Sequence, residues 1–263
     1  MTTAGLHQRS WGSGPRRVLL LHGSASSSAT WWRVGPALAA RGWSVTAVDL
    51  PSHGNSPALG APLVPGLAAS AVAASTAVQD FDLVLGHSFG AATALALLVE
   101  QPHITARLVL EELPGPASVD WDAEASAVRD GAPAARLDIA TEIARARAEQ
   151  PRWAEEDCHH AVADLARCQA DDVAAGLLRG PTWTQGDQLP PRDAAVMLLL
   201  APDAPGVNRL EDSTALRGQD RRRFTISLDA QVTVLDTGHC LHRDDPHGWL
   251  EAISSFTARR LQS

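Results

Sequence analysis

The sequence predicts an α/β fold in which a mostly parallel sheet carries helices on both faces. Short apolar runs typical of buried strands alternate along the chain with longer segments typical of helices. Loops rich in Gly, Pro, Ser and Asp follow several of these runs, as expected where parallel strands end. The 263 residues suffice for one large domain, or for a core domain with an insertion.

The first half of the chain contains four predicted strands separated by helices. The strands are the apolar runs 17–21, 43–50, 82–85 and 107–112. The helices, rich in Ala and Leu, are 30–41, 64–78 and 91–99. Thr30 is the expected N-cap of the first helix, and Gly42 follows its end. The polar residues before the first strand are assigned no regular element.

Residues 117–192 interrupt the alternation of strands and helices. The segment is acidic and Ala-rich, has helical spacing of its apolar residues, and contains few β-branched runs. Roughly 75 residues without a strand is long for one connection between strands. We therefore predict a helical cap at 117–192, inserted into a core formed by residues 1–116 and 193–263.

The sheet is predicted to resume after this cap. Strands are expected at 194–201 and 231–235, followed by loops at 202–206 and 236–242. A closing helix over 246–260 should turn Trp249, Ile253 and Phe256 towards the core, since these residues share one helical face.

Charge and composition exclude several classes of function. The formal net charge of −8 argues against nucleic acid or an anionic membrane as a partner, because both select for basic surfaces. No leader segment opens the chain, and no apolar run reaches the roughly 18 residues that span a bilayer. We expect a cytoplasmic protein that acts on a small molecule. A homodimer is left open.

The three cysteines predict neither a disulfide framework nor a metal site. Cys158, Cys168 and Cys240 are odd in number and form no Cys-x-x-Cys pair. His159 and His160 follow Cys158, but neighbouring helical residues do not converge on one ion, and a closed zinc site needs four ligands. We expect no metal and no cofactor.

The strongest chemical signal is the pentapeptide Gly-His-Ser-Phe-Gly at 86–90, between the third predicted strand and its helix. It matches the Gly-x-Ser-x-Gly nucleophile elbow, whose glycines allow a turn too tight for any side chain. Ser88 stands at the tip of this turn. The N–H groups of the following helical turn lack partners within the helix and can hold a developing oxyanion.

A serine nucleophile needs a histidine base that is oriented by a carboxylate. Ten histidines are candidates, and His239 is favoured because it follows the last strand in a glycine-flanked loop. His242 and His247 are the fallback choices. His87 adjoins the serine but should point away from the tip and pack in the interior.

These motifs together resemble the α/β-hydrolase superfamily over nearly the whole chain. His22-Gly23 resembles the oxyanion loop of that family, which implies oxyanion donors at the N–H groups of Ser24 and Phe89. The stretch 49–56 resembles the family's Asp-x-x-Gly-His-Gly-x-Ser loop, with Ser52 at a position where Gly is common. A dinucleotide-binding role for the glycines is disfavoured, because no Gly-x-Gly-x-x-Gly follows a strand.

The resemblance leaves two candidates for the triad acid. In most relatives the acid follows the next-to-last strand, where this chain has Asp203, but the usual Gly-x-x-Asp spacing falls on Pro205. The other known placement is one sheet position earlier, at Glu112. That position is similar to the acid of one class of haloalkane dehalogenases and of zearalenone-type lactone hydrolases, where Glu-Leu-Pro also occurs. Glu112 is preferred over Asp203.

The predicted function is a serine hydrolase that cleaves a carboxylic ester or lactone of an apolar small molecule. His22, Trp153 and Trp183 are expected to border the substrate pocket. Thioesterase, carbon–carbon bond hydrolase and perhydrolase activities use the same site and remain alternatives. A ligand-binding protein that keeps the fold without turnover is the alternative from another class.

Overall fold

The computed structural model describes residues 5–76, 80–115, 119–183, 194–202 and 216–259. Seven strands lie within these residues: β1 (Gln8–Trp11), β2 (Arg16–Leu21), β3 (Trp43–Val48), β4 (Leu83–His87), β5 (Arg107–Glu111), β6 (Ala195–Leu200) and β7 (Gln231–Val234). They form one sheet in the order β1-β3-β2-β4-β5-β6-β7. β1 is antiparallel to β3, and all other pairs are parallel. The predicted mostly parallel α/β sheet is confirmed.

The described helices account for most of the remaining residues. They are α1 (Val34–Ala40), α2 (Pro65–Thr76), α3 (Phe89–Glu100), α4 (Trp121–Leu137), α5 (Ile139–Glu149), α6 (Glu155–Arg167), α7 (Ala170–Leu177), α8 (Gly218–Ser227), α9 (Leu241–Asp244) and α10 (Pro246–Ala258). Short 3-10 turns lie at Ser28–Trp31 and Gly180–Thr182. Among the described helices, none is both long and apolar enough to cross a bilayer.

Two apolar clusters cover the two faces of the sheet. Side chains alternate between the faces along β2, so that Leu19 and Leu21 pack on one side and Val18 and Leu20 on the other. The first side holds α2, α3 and parts of α4 and α7, and the second holds α1 and α10. Both faces of the central strands are therefore buried, which explains their continuous apolar runs.

The amino-terminal part of the chain differs from the prediction in two ways. The polar segment Gln8–Trp11 is an edge strand, since it pairs with β3 although its side chains are mostly exposed. The predicted helix 30–41 is divided into a 3-10 turn, capped by Ser27 rather than Thr30, and the separate α1. Pro36 lies in the first turn of α1. Proline has no N–H to donate, so it fits a first helical turn but not the interior of the longer helix that we predicted.

The helices α4 to α7 lie between β5 and β6 in sequence, where we predicted the cap; the described residues 119–183 are named the cap region, or cap, for this position. Several side-chain hydrogen bonds join the cap region to the rest of the structure. Ser27 Oγ donates to Asp164 Oδ1 at 2.7 Å, and Ser52 Oγ donates to Asp172 Oδ2 at 2.6 Å. Trp32 Nε1 donates to Asp157 Oδ1 at 2.8 Å. The ends of the predicted segment, 117–118 and 184–192, lie outside the described residues.

Alanine at Gly90 should destabilise the protein strongly. Its Cβ would lie 2.3 Å from the Leu21 carbonyl oxygen, so the backbone of β2 or α3 would have to move. We expect a loss of about 3 kcal/mol or more in the free energy of unfolding, measured by chemical denaturation. Gly66→Ala is the matched control, because nothing lies within 4 Å of that position in α2. It should change stability by less than about 1 kcal/mol, and equal losses in the two variants would contradict this account.

Candidate active site

Ser88 stands at the turn between β4 and α3. Its backbone has φ 52° and ψ −118°, a region that residues with side chains rarely adopt. A Cβ on Gly86 would lie 2.0 Å from the Gly90 carbonyl oxygen, so both glycines are required by the close approach of strand and helix. The N–H of Ser88 donates to the carbonyl of Glu111 at 2.8 Å, which ties the turn to β5. The turn therefore presents the Ser88 side chain at the carboxyl edge of the sheet.

His239 and Glu112 meet at the same edge. His239 Nδ1 lies 3.3 Å from Glu112 Oε2, and the carboxyl group of Glu112 is buried. The other oxygen, Oε1, accepts the N–H of Ala201 at 2.7 Å. Glu112 has φ 49° directly after β5, and this left-handed turn carries its side chain out of the strand pattern. Asp203, the other candidate acid, lies outside the described residues.

The loop after β2 is held by residues of the loop after β3. The N–H of Ala25 donates to His53 Nε2 at 3.0 Å, and the N–H of Ser28 donates to Asp49 Oδ1 at 2.7 Å. Burial lowers the pKa of His53 to about 3, so the ring is neutral and its Nε2 accepts this bond. For Asp49, burial opposes ionisation, but the N–H groups of Asn55 and Ser28 outweigh it and lower the pKa. These bonds fix the backbone around Ser24.

His22 does not border the cavity where we expected it. Its Nδ1 hydrogen-bonds the carbonyl of Gly23 at 2.8 Å, and its Nε2 accepts the N–H of Leu50 at 2.9 Å. The side chain is fully buried, and burial lowers its pKa. Both ring nitrogens are thus engaged by the backbone. His22 joins the two loops, because an interior imidazole needs a partner for each nitrogen.

A cavity of about 260 Å³ lies between the edge of the sheet and the cap helices. Ser88 and His239 line it together, next to Ser24 and His87. The apolar part of its wall comes largely from the cap, through Trp121, Trp153, Ala161, Leu165, Leu177 and Trp183. Trp183 packs against Phe89 and Trp121 at ring-centroid distances of 5.1 and 4.9 Å. Trp153 and Trp183, which the sequence analysis expects at a substrate pocket, both line this cavity.

The other candidate histidines occupy different places. His87 is buried, and its Nε2 lies 3.0 Å from the carbonyl oxygen of His239, so it supports the loop that carries His239. His242 is buried with Nδ1 2.7 Å from Glu111 Oε1 and Nε2 2.7 Å from Thr30 Oγ1. Burial lowers the pKa of both rings well below the usual value. His247 is exposed on α10.

A second buried polar network lies beneath the His239–Glu112 pair and was missed by the sequence analysis. Glu111 accepts hydrogen bonds from the N–H of His242 at 3.1 Å and from Trp249 Nε1 at 2.9 Å. Thr30 Oγ1 accepts the Nε–H of Arg243 at 3.0 Å, and Arg243 lines the cavity. The one sequence signal for this network was the pair of adjacent glutamates at the end of β5.

Asp164 is a buried carboxyl group of the cap close to the loop after β2. Its Oδ1 accepts the Ser27 hydroxyl, while no described group donates to Oδ2. Burial raises the pKa of Asp164 to about 6, since the Ser27 bond and the charge of Arg243 compensate only partly. The contact between the cap and this loop is thus sensitive to protonation near neutral pH.

Within the described part of the chain, no group of three or more His, Cys, Asp and Glu side chains is arranged to hold a metal ion. All three cysteines are buried. His159 and His160 lie 3.6 and 3.4 Å from the glutamates four residues earlier on α6. These histidines form side-chain pairs along one helix, and their spacing does not bring them to one ion.

Known proteins with similar sequences and structures include several hydrolases. The model of the alpha/beta hydrolase family matches residues 18–252. Lipase LipV of Mycobacterium tuberculosis is 39% identical over 108 residues, and pyrrolizixenacetamide deacetylase of Xenorhabdus hominickii is 40% identical over 103 residues. These alignments span 40% and 38%, respectively, of this chain and of the relative. The structure of E-2-(acetamidomethylene)succinate hydrolase superposes with a TM-score of 0.73 at 17% identity, covering 97% of this chain and 95% of the other.

Replacing Asp164 by Asn should change how stability depends on pH. The folded state binds the Asp164 proton more tightly than the unfolded state, whose pKa is near 3.8. The stabilisation that the Asp164 proton gives the folded state is therefore complete below about pH 4 and is lost as pH rises through 6. At about 1.4 kcal/mol per pKa unit, the wild type should lose about 3 kcal/mol relative to Asp164→Asn between pH 4 and 7.

This difference can be measured by urea unfolding followed through tryptophan fluorescence at each pH. Asp130→Asn is the matched control, because Asp130 is exposed on α4, and it should follow the wild-type curve. Parallel curves for the wild type and Asp164→Asn would show that Asp164 does not hold its proton as described.

Proposed function

Because the chain belongs to the alpha/beta hydrolase family, we propose that it is a serine hydrolase that cleaves a carboxylic ester or lactone through an acyl-enzyme on Ser88. The observation that carries the proposal is the convergence of three distant residues at one edge of the sheet. Ser88 and His239 line one cavity, and Glu112 contacts His239 Nδ1 at 3.3 Å. A nucleophile, a base and an orienting acid are the groups that acyl transfer requires.

In the proposed reaction, Ser88 Oγ attacks the carbonyl carbon of the substrate. His239 Nε2 accepts the hydroxyl proton and then gives it to the leaving alkoxide, so that alcohol departs and an acyl-serine remains. A water molecule, deprotonated by His239, then attacks the acyl-serine and releases the acid. The leaving oxygen of a lactone stays attached to the acyl chain, and the product is a hydroxy acid.

Glu112 is the proposed acid of this triad. Its Oε2 faces His239 Nδ1, which favours the tautomer with Nε2 free to accept the serine proton. The N–H of Ala201 holds Oε1 at 2.7 Å, and this second bond keeps the carboxylate in one orientation. A buried carboxylate with these partners also stabilises the imidazolium that forms during the reaction.

The proposed oxyanion donors are the N–H groups of Phe89 and Ser24. Phe89 is the first residue of α3, where the helix offers its N–H no internal acceptor. Ser24 lines the cavity, and the Ala25–His53 bond fixes the loop that carries it. Because both amides belong to restrained backbone, they need little reorganisation when negative charge develops on the substrate oxygen.

The aromatic wall of the cavity suits the apolar part of a substrate. Trp121, Trp153 and Trp183 supply large rigid faces, which bind ring systems and acyl chains with little loss of side-chain entropy. One related protein is a lipase and another is a deacetylase. An ester, thioester and lactone panel distinguishes the proposed activity from thioester or carbon–carbon bond cleavage on the same triad.

Replacing Ser88 by Ala should abolish turnover of 4-nitrophenyl esters and labelling by a fluorophosphonate probe, because both need the serine oxygen. The measurements are initial rates and the mass of the labelled protein. Ser26→Ala is the matched control, since Ser26 lines the same cavity and should still allow labelling of Ser88. Labelling that persists in Ser88→Ala would exclude Ser88 as the nucleophile.

Replacing Glu112 by Gln should lower kcat by about 10²- to 10⁴-fold, because an amide no longer favours the reactive imidazole tautomer or stabilises the imidazolium. Asp203→Asn is the paired variant and should retain most of the activity. Burst kinetics with a 4-nitrophenyl ester separate the acylation and deacylation rates. A large loss in Asp203→Asn with little change in Glu112→Gln would assign the acid to Asp203.

A further inference from the structure

We infer that Arg243 is the anion-binding subsite of this cavity, and that the substrate carries a carboxylate or a similar small anion in addition to its scissile acyl bond. The inference rests on the proposed function, since it concerns the substrate of the same site. It narrows the expected substrate from a wholly apolar molecule to one with an apolar body and one acidic end.

Arg243 is a buried cation that contacts no carboxylate of the described residues. The residue is 4% exposed, and among the described residues no carboxylate oxygen lies within 4.0 Å of its guanidinium. Its Nε–H donates to Thr30 Oγ1, and no described protein group accepts a bond from Nη1 or Nη2. Buried charges in proteins are normally paired, because removing them from water is costly. Arg243 lines the cavity, where a substrate can reach it.

Two buried acids of α6, Asp157 and Asp164, are committed to other donors. Asp157 accepts Trp32 Nε1 at 2.8 Å and the N–H of Ala154 at 3.1 Å. Asp164 accepts the Ser27 hydroxyl and acts on Arg243 only through its field. Neither carboxylate neutralises the guanidinium by direct contact, so the positive charge remains available to a ligand.

The guanidinium is held in a fixed orientation. One face lies over the Trp153 ring, with the Arg243 Cζ atom 4.4 Å from the ring centroid. Behind it, Thr30 Oγ1 accepts Arg243 Nε–H and directs its own hydrogen towards His242 Nε2 at 2.7 Å. His242 Nδ1 in turn bonds Glu111 at 2.7 Å. This series of hydrogen bonds uses the Nε–H of Arg243. It leaves the N–H groups of Nη1 and Nη2 to donate to a carboxylate.

A purely structural arginine would not have this arrangement. An arginine that only packs or caps buries its stem and keeps its charged end in water, or pairs it with an acid. Arg16 illustrates the ordinary case, because its guanidinium lies over the Trp43 ring at 4.3 Å but is exposed and donates to the Arg41 carbonyl. Arg243 stacks on tryptophan in the same way, but it is buried and lines the cavity.

The test compares two esters that differ by one carboxylate. 4-Nitrophenyl hemiglutarate and 4-nitrophenyl pentanoate have acyl chains of equal length, and only the first is anionic. In Arg243→Met the ratio of kcat/KM for the anionic over the neutral ester should fall by about 10- to 100-fold, mainly through KM. Arg243→Lys should keep part of this ratio, and Arg16→Met, which removes an arginine stacked outside the cavity, should leave it unchanged.

If Arg243→Met lowers kcat/KM equally for both esters, so that their ratio is preserved, the inferred subsite is wrong and the hydrolase proposal is unaffected. Failure of the wild type to turn over either ester, or turnover by Ser88→Ala, would instead contradict the proposed function. The two outcomes are therefore distinguishable by which variant and which ester change.

A binding measurement tests the subsite without catalysis. Calorimetry on Ser88→Ala should show phenylacetate binding more tightly than its neutral counterpart phenylacetamide, and Ser88→Ala/Arg243→Met should bind phenylacetate at least about 10-fold more weakly. Circular dichroism and thermal unfolding check that each variant folds. If Arg243→Met does not fold, the same comparison is made with Arg243→Lys. Equal affinity of Ser88→Ala for the acid and the amide would overturn the inference.

Discussion

The turns that directly follow β4 and β5, each with a residue of positive φ, are the constraint on which the rest of the site depends. Parallel pairing places His87 opposite Glu111, so the next residue of each strand emerges at the same edge of the sheet. Both of those residues, Ser88 and Glu112, have left-handed backbone with φ near 50°. Such conformations cost about 1–3 kcal/mol each and persist only where the surroundings enforce them. Here the glycines of the elbow and the bonds Ser88 N–H to Glu111 O and Glu112 N–H to Leu199 O do so.

Two adjacent glutamates at the end of β5, Glu111 and Glu112, have different roles. Glu111 ends the strand regularly and points into the interior, where His242 and Trp249 satisfy it. Glu112 follows the left-handed turn and reaches His239 at the cavity. Burial raises the pKa of Glu111, and the electrostatic effect of His87 and the hydrogen bonds from Trp249 and the N–H of His242 partly offset this rise. The Glu111–His242 pair holds Thr30 and Arg243 in place, and Glu112 orients His239, the proposed base.

The cavity is assembled from both the sheet and the cap region, so neither forms it alone. Turns at the edge of the sheet supply Ser88 and His239, and the short helix α9 supplies Arg243. The cap region supplies the tryptophans and most of the apolar wall. The contacts between the two parts include the hydrogen bonds of Ser27 to Asp164 and Ser52 to Asp172, beside apolar packing such as that of Trp183 on Phe89. The stacking of Arg243 on Trp153 also crosses this boundary. Movement of the cap would therefore change the substrate wall and the anion subsite together.

The amino-acid sequence by itself determined the alternation of strands and helices, the serine elbow and the loop that carries His239. These features depend on spacing and turn chemistry within short windows, which are visible without the fold. The tertiary structure decided that the exposed segment Gln8–Trp11 is a strand, because only pairing with β3 makes it one. It also decided that His22 bonds backbone rather than borders the cavity, and that Arg243 lines the cavity with no carboxylate from the described parts of the chain in contact with it. Such placements depend on the register of strands and helices far apart in the chain, and no local pattern of residues encodes that register.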